Sequence, residues 1–90
     1  MRNEIKKDFA NAPLEEILYE CAIMRGVQSL QHRTIHEFNW FVKECVFGKL
    51  KEKYKDKMSF MNDSRENVMR KWGLLFYDYC YEEYSSIDEL

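Results

Sequence analysis

The sequence predicts an all-α fold, a three-helix bundle in which a short first helix packs on two long antiparallel helices. Three observations lead there. The 90 residues hold only three Gly and one Pro, so little interrupts helix over long stretches. Hydrophobic residues make up 46% and charged residues 33%, the balance of a chain that buries a core rather than staying unfolded. The apolar residues recur at three- and four-residue spacing, the period of a helix face that packs. At 11.0 kDa the chain is expected to form one domain, residues 1–90, because two units of half this size would bury too little surface to be stable.

The first helix begins around Asn11-Ala12-Pro13. Proline is tolerated in a first helical turn, and the acidic pair Glu15 and Glu16 follows at the positive end of the helix dipole. Leu14, Ile17, Leu18, Cys21 and Ala22 then make one buried stripe, and Gly26 is the natural stop. Ahead of it, residues 3–10 are expected to add a short helical arm, with Ile5 and Phe9 four apart. The second helix is expected to start at Thr34-Ile35-His36-Glu37, which has the Thr-x-x-Glu form of a capping box. It should run to about Lys55, a length of about 33 Å, with Ile35, Phe38, Phe41, Val42, Cys45 and Val46 on its core face. A polar connection then leads to Asp63-Ser64-Arg65-Glu66, a second capping-box pattern, and the third helix is expected from about Ser64 to Tyr84. Its core stripe is Val68, Met69, Trp72, Leu75, Phe76, Tyr79 and Cys80, opposed by Arg70, Lys71, Asp78 and Glu82.

Each long helix carries a second aromatic stripe. Trp40, Phe47 and Tyr54 recur every seven residues, and Leu74, Tyr77, Tyr81 and Tyr84 line up apart from the core face. Exposed aromatic area of that size marks interfaces, since Tyr and Trp bury surface at little rotamer cost. Trp40, Phe47, Tyr54 and Leu74 are therefore expected to form a homo-oligomer interface, the alternative being that the first helix and the N-terminal arm cover both stripes.

Charge is segregated although the net value is only −2. Residues 25–57 hold eight Lys and Arg against four acids, whereas from Leu75 onward there are five acids and no base. The two regions are expected to complement one another. The acidic aromatic end, with Tyr77, Tyr81 and Tyr84 as anchors and Glu82, Glu83, Asp88 and Glu89 around them, is the expected surface for a protein target. A basic, nucleic-acid-binding host protein would suit it, since acidic side chains can stand in for phosphates.

Chemistry of other kinds finds little support. Cys21, Cys45 and Cys80 are 24 and 35 residues apart, fit no CxxC arrangement, and each falls on a core stripe, so reduced thiols are expected. His32 and His36 are four apart but have no third ligand spaced with them, so no metal and no cofactor are expected. No phosphate loop, nucleophile elbow or convergent carboxylate pair is present, and the chain is not expected to be an enzyme. The opening residues lack the apolar run of a secretory signal, and no apolar stretch approaches the roughly 18 to 20 residues of a membrane span. A cytoplasmic protein without a membrane partner is expected, in the host cytoplasm if phage-encoded.

Two local resemblances bear on function. Ala22-Ile23-Met24-Arg25-Gly26 resembles the Ala-x-x-x-Gly turn of helix-turn-helix proteins, which implies a transcription regulator using residues 22–57, with Arg33, Lys49, Lys51, Lys53 and Lys55 on nucleic acid. His32 stands where that pattern takes an apolar residue, and Trp40, Phe41 and Glu44 replace base-reading side chains. The last six residues, Ser85-Ser86-Ile87-Asp88-Glu89-Leu90, resemble the short acidic-apolar peptides with which some phage replication and late-transcription proteins dock on sliding clamps. The expectation overall is a small non-enzymatic interaction protein that binds and regulates or inhibits a larger macromolecule, as phage-type inhibitors or adaptors of host machinery do.

Overall fold

In the computed structural model, which describes residues 9–25 and 32–85, helix α1 runs Leu14–Met24. Pro13 takes an extended N-cap conformation and offers no side-chain cap. Its carbonyl accepts from the Glu16 and Ile17 N–H groups at 3.1 and 3.2 Å, and Glu15 and Glu16 lie in the first turn, where the dipole favours negative charge. Ile17, Leu18, Cys21 and Ala22 are buried as the spacing predicts, and Leu14 packs at the edge of the core. Gly26 and most of the expected N-terminal arm lie outside the described residues.

The residues just before α1 form a strap against the helix that carries Arg70 and Tyr77. Ala12 N–H closes a turn on the Phe9 carbonyl at 3.1 Å, and the Phe9 ring is buried edge-on against Tyr77, centroids 4.8 Å apart. Arg70 holds this strap. Its guanidinium donates to the carbonyls of Ala12 at 2.6 Å, Phe9 at 2.6 Å and Ala10 at 2.9 Å. The solvent-facing role expected of Arg70 is thereby corrected: a planar fork of donors suits a turn whose carbonyls have no helical partner.

Helix α2 spans His32–Phe47, so Thr34 lies inside it rather than capping it. The Thr34 side chain is fully buried and its hydroxyl accepts from Arg25 Nη1 at 2.7 Å. Arg25 Nε also lies 2.6 Å from Glu37 Oε1, so the end of α1 is tied to the first turns of α2. Phe38, Phe41 and Cys45 are buried on the predicted face, Val42 and Val46 are partly buried, and Ile35 stands 41% exposed.

The expected run to Lys55 is broken at Gly48. Glu44 folds back so that its carboxylate occupies the space a Cβ at Gly48 would need, and it accepts from the Lys49 N–H at 3.0 Å. The chain turns through residues 48–50 and resumes as α3, Lys51–Tyr54, followed by 3-10 turns at Lys55–Lys57 and Ser59–Asn62. Helix α4 then covers Arg65–Cys80 and loosens into a π turn at Tyr81–Ser85. Its N-cap is Ser64, whose Oγ accepts from the Asn67 N–H at 3.4 Å. The box pattern from Asp63 to Glu66 is thus displaced by one residue, and Asp63 instead meets Lys71 at 2.8 Å.

Among the described residues there are four α-helices and no strand. α4 is the element on which α1, α2, the second 3-10 turn and the terminal π turn all rest. Gly73 faces α1, where a Cβ would meet the end of the Leu14 side chain at 2.5 Å and Ile17 Cγ2 at 3.5 Å. The centre of the core is aromatic. Phe41 lies 5.3 Å from Tyr54, 5.5 Å from Phe76 and 6.3 Å from Trp72, and Phe60 meets Trp72 edge-on at 5.3 Å. Such edge and tilted contacts add to the area these rings bury. On the α4 stripe Trp72, Leu75, Phe76 and Cys80 are buried, while Val68 and Tyr79 are partly so and Met69 is exposed.

Candidate functional site

The break at Gly48 divides the expected aromatic stripe. Tyr54, placed by α3, is only 2% exposed and belongs to the core, which corrects its expected place on an outer face. Trp40 is half-buried, 6.0 Å from Tyr79, with the Lys49 amine 5.9 Å from its own ring. Leu74 is partly buried and lines a shallow groove of about 350 Å³ with Phe60 and Leu75, bordered by Lys57 and Lys71. Phe47 alone of the four stands in solvent, 85% exposed at the end of α2.

Exposed lysines flank that residue in sequence. Lys43 lies one helical turn before it, Lys49 follows within the turn and Lys51 opens α3, all three exposed. Of the lysines beyond, Lys53 meets Glu82 at 2.7 Å and Lys55 meets Glu52 at 3.1 Å. The Lys53 to Glu82 contact joins the basic segment to the acidic end, as charge segregation predicts, although both side chains are about half exposed and the pair is worth little in water. Lys53 and Lys57 also place their amines 5.6 and 5.7 Å from the Tyr54 ring. Arg33 is exposed near the other end of α2, 14 residues from Phe47 and so about 21 Å along the helix, and does not join the lysines.

The acidic end is differently built. Tyr77 is 6% exposed, covered by Phe9, which corrects its expected role as an exposed anchor. Tyr81 is partly buried 6.3 Å from Tyr77. Glu82 and Glu83 are exposed on the π turn. The Tyr84 side chain, Asp88, Glu89 and the docking-peptide pattern after Ser85 lie outside the described residues.

On α1, two exposed apolar residues belong to no stripe that the spacing predicts. Tyr19 and Ile23 stand one turn apart on the outer side of α1, near Glu15 and Glu16. The i, i+4 spacing of that pair was the available signal.

No three His, Cys, Asp or Glu side chains are grouped to hold a metal among the described residues, and no described helix is long and apolar enough to cross a membrane. All three cysteines are buried free thiols. Burial, with the nearby Glu44 carboxylate, pushes the Cys45 thiol up to about 11. Cys21 is raised further, first by its hydrogen bond with Cys80 and then by burial. The Tyr54 hydroxyl, buried without a hydrogen-bond partner, is also raised, by burial first and then by the Glu82 charge. Thiols so held are poor nucleophiles, because the thiolate is the reactive form. The chain matches no family model, no curated protein and no solved structure.

Proposed function

We propose that this protein is a small non-enzymatic interaction protein that docks on an acidic surface of a larger protein through the lysine-flanked Phe47 elbow, and so regulates or inhibits that target. One observation carries the reading: a phenylalanine 85% exposed at a chain reversal bordered by exposed lysines. A lone apolar residue on a surface is ordinary. A phenylalanine held almost wholly in water beside a turn, with exposed lysines before and after it in sequence, has the make-up of an interface anchor with a steering rim. In this reading α1, α2 and α4 form the three-helix bundle that presents the elbow, and the protein works in the cytoplasm. Tyr81, Glu82 and Glu83 make a secondary acidic face, with Tyr77 serving the fold instead.

Nucleic acid is the competing target, and the exposed lysines favour it specifically. The net charge of −2 and the separation of Arg33 from the lysines count against it, since duplex binding draws on many phosphate contacts. The test is a titration with a fluorescent peptide of alternating Glu and Leu, run beside a duplex DNA of equal charge at two salt concentrations. The peptide should bind, Phe47→Ser should weaken it at least tenfold, and Lys49→Gln with Lys51→Gln should slow its association. Tight duplex binding with a steep salt dependence and no effect of Phe47→Ser would replace this function with the nucleic-acid one.

A further inference from the structure

The elbow has a counterpart on the same chain. Pro13, Glu15, Glu16 and Tyr19 wall a depression of about 370 Å³ at the start of α1. Its sides are a proline ring and an aromatic ring, and its other walls are two carboxylates. Both glutamates are exposed and Tyr19 is 39% exposed. Between Pro13 and Ile23 there are three acids, Glu15, Glu16 and Glu20, and no base. A second depression, walled by Pro13, Leu14, Met69, Glu66 and two arginines, Arg65 and Arg70, shares Pro13 with the first and extends it onto α4.

An exposed ring flanked in sequence by lysines and a hollow walled by Pro13, Tyr19 and two glutamates are complements in charge on the α1 side, while Arg65 and Arg70 bound the α4 side. Phe47, at 85% exposure, is not seated in the hollow of its own chain, so only another molecule can bring the two together. We propose that Phe47 of one copy seats between Pro13 and Tyr19 of a second copy, with its neighbouring lysines meeting Glu15 and Glu16, so that the chain associates head to tail and covers its own docking elbow. This rests on the elbow being a docking surface and adds its regulation: the free protein masks the surface that the target must reach.

The contact joins two different patches, so it is heterologous. A copy that uses its elbow still offers its hollow, and growth runs to short chains or a ring rather than stopping at a symmetric pair. One ring and a few lysines bury far less than the roughly 800 Å² per partner of a stable complex. The association is therefore reversible, grows with concentration and weakens with salt.

The experiment is sedimentation velocity on the purified chain from about 10 μM to about 1 mM at low and high salt, with peptide binding by the same samples measured in parallel at low concentration. Mean mass should rise with concentration and fall with salt. Phe47→Ser, the double change Glu15→Lys with Glu16→Lys, and the double change Lys49→Glu with Lys51→Glu should each hold the mass at that of a monomer. Mixing the two charge-reversed variants should restore growth, which a symmetric contact of elbow with elbow would not require. Because lysines in the first turn weaken α1, the milder pair Glu15→Gln with Glu16→Gln is run as well, and it should weaken association about tenfold with helicity unchanged. A wild-type monomer at every concentration, or growth indifferent to the glutamates, overturns this inference. If the peptide still binds through Phe47 in that case, the docking function stands without it. Growth that depends on both patches while the peptide fails to bind confirms the head-to-tail contact and removes the docking function.

Discussion

The elbow at Phe47 and the acidic end around Tyr77 start from the same sequence property, an aromatic residue on a helix outside the main core stripe, and end in opposite environments. Tyr77 is covered because a strap from the other end of the chain lays Phe9 against it, and Arg70 fastens that strap through three carbonyls. Phe47 has no such cover. The helix that carries it ends at once, and the chain turns away through residues 48–50. Exposure of an aromatic stripe is thus decided less by its own helix than by what distant segments supply.

The largest effect that would break this contrast is removal of the cover. Phe9→Ala deletes a buried ring and should cost about 3 kcal/mol in urea unfolding, and it should make Tyr77 fluorescence accessible to an aqueous quencher. If stability is unchanged, the strap does not hold Tyr77. Arg70→Met keeps the aliphatic stem but leaves the carbonyls without their donors, and about 2 kcal/mol should be lost. Hydrogen exchange should then rise at Ala12 and leave the elbow unaltered.

Alkaline pH tests the interior common to both regions. The Cys45 thiol is raised in the folded state from its usual value of 9.0 to about 11, so the unfolded chain releases this proton first. Its contribution to stability is complete below pH 9 and declines as pH rises toward 11. Cys21 and Tyr54, shifted in the same direction, add to the decline. Melting temperature should fall by several degrees from pH 9 to pH 10, and Cys45→Ala should flatten part of that fall. The smallest effects belong to the surface. Lys53→Gln should change stability by under about 1 kcal/mol, since its partner Glu82 is equally wet. Phe47→Ser should leave it within about 0.5 kcal/mol, and a larger loss would mean that the ring packs on its own chain.

Local pattern carried much of the fold. The α1 stripe and the inward cysteines follow from spacing, and the short polar residues before α4 mark its start, although the box pattern points to Asp63 and the cap is Ser64. The break at Gly48 does not, because one glycine inside a helix costs only about 1 kcal/mol. The outcome was decided by the Glu44 carboxylate reaching the Lys49 N–H and by burial of Tyr54 against Phe41. The same break explains why the candidate site was only half legible. A spacing of seven aligns Trp40, Phe47 and Tyr54 on a straight helix, and a reversal between the second and third sends one ring to solvent and the other to the core. Arg70 was misread for a related reason: its carbonyl partners lie about 60 residues away, beyond any helical periodicity. Thr34 spends its hydroxyl on Arg25, so a cap pattern in sequence became an interhelical tie.

The inward cysteines have a practical consequence. With every thiol of the chain buried, a maleimide in solution meets sulfur only when the helices part, and the labelling rate becomes a clock for that opening. Cys45 times the release of α2, while Cys21 and Cys80 time the parting of α1 from α4. The surface is left without a thiol of its own, so a cysteine introduced at an exposed position such as Ala10 would take a probe selectively while the helices stay packed.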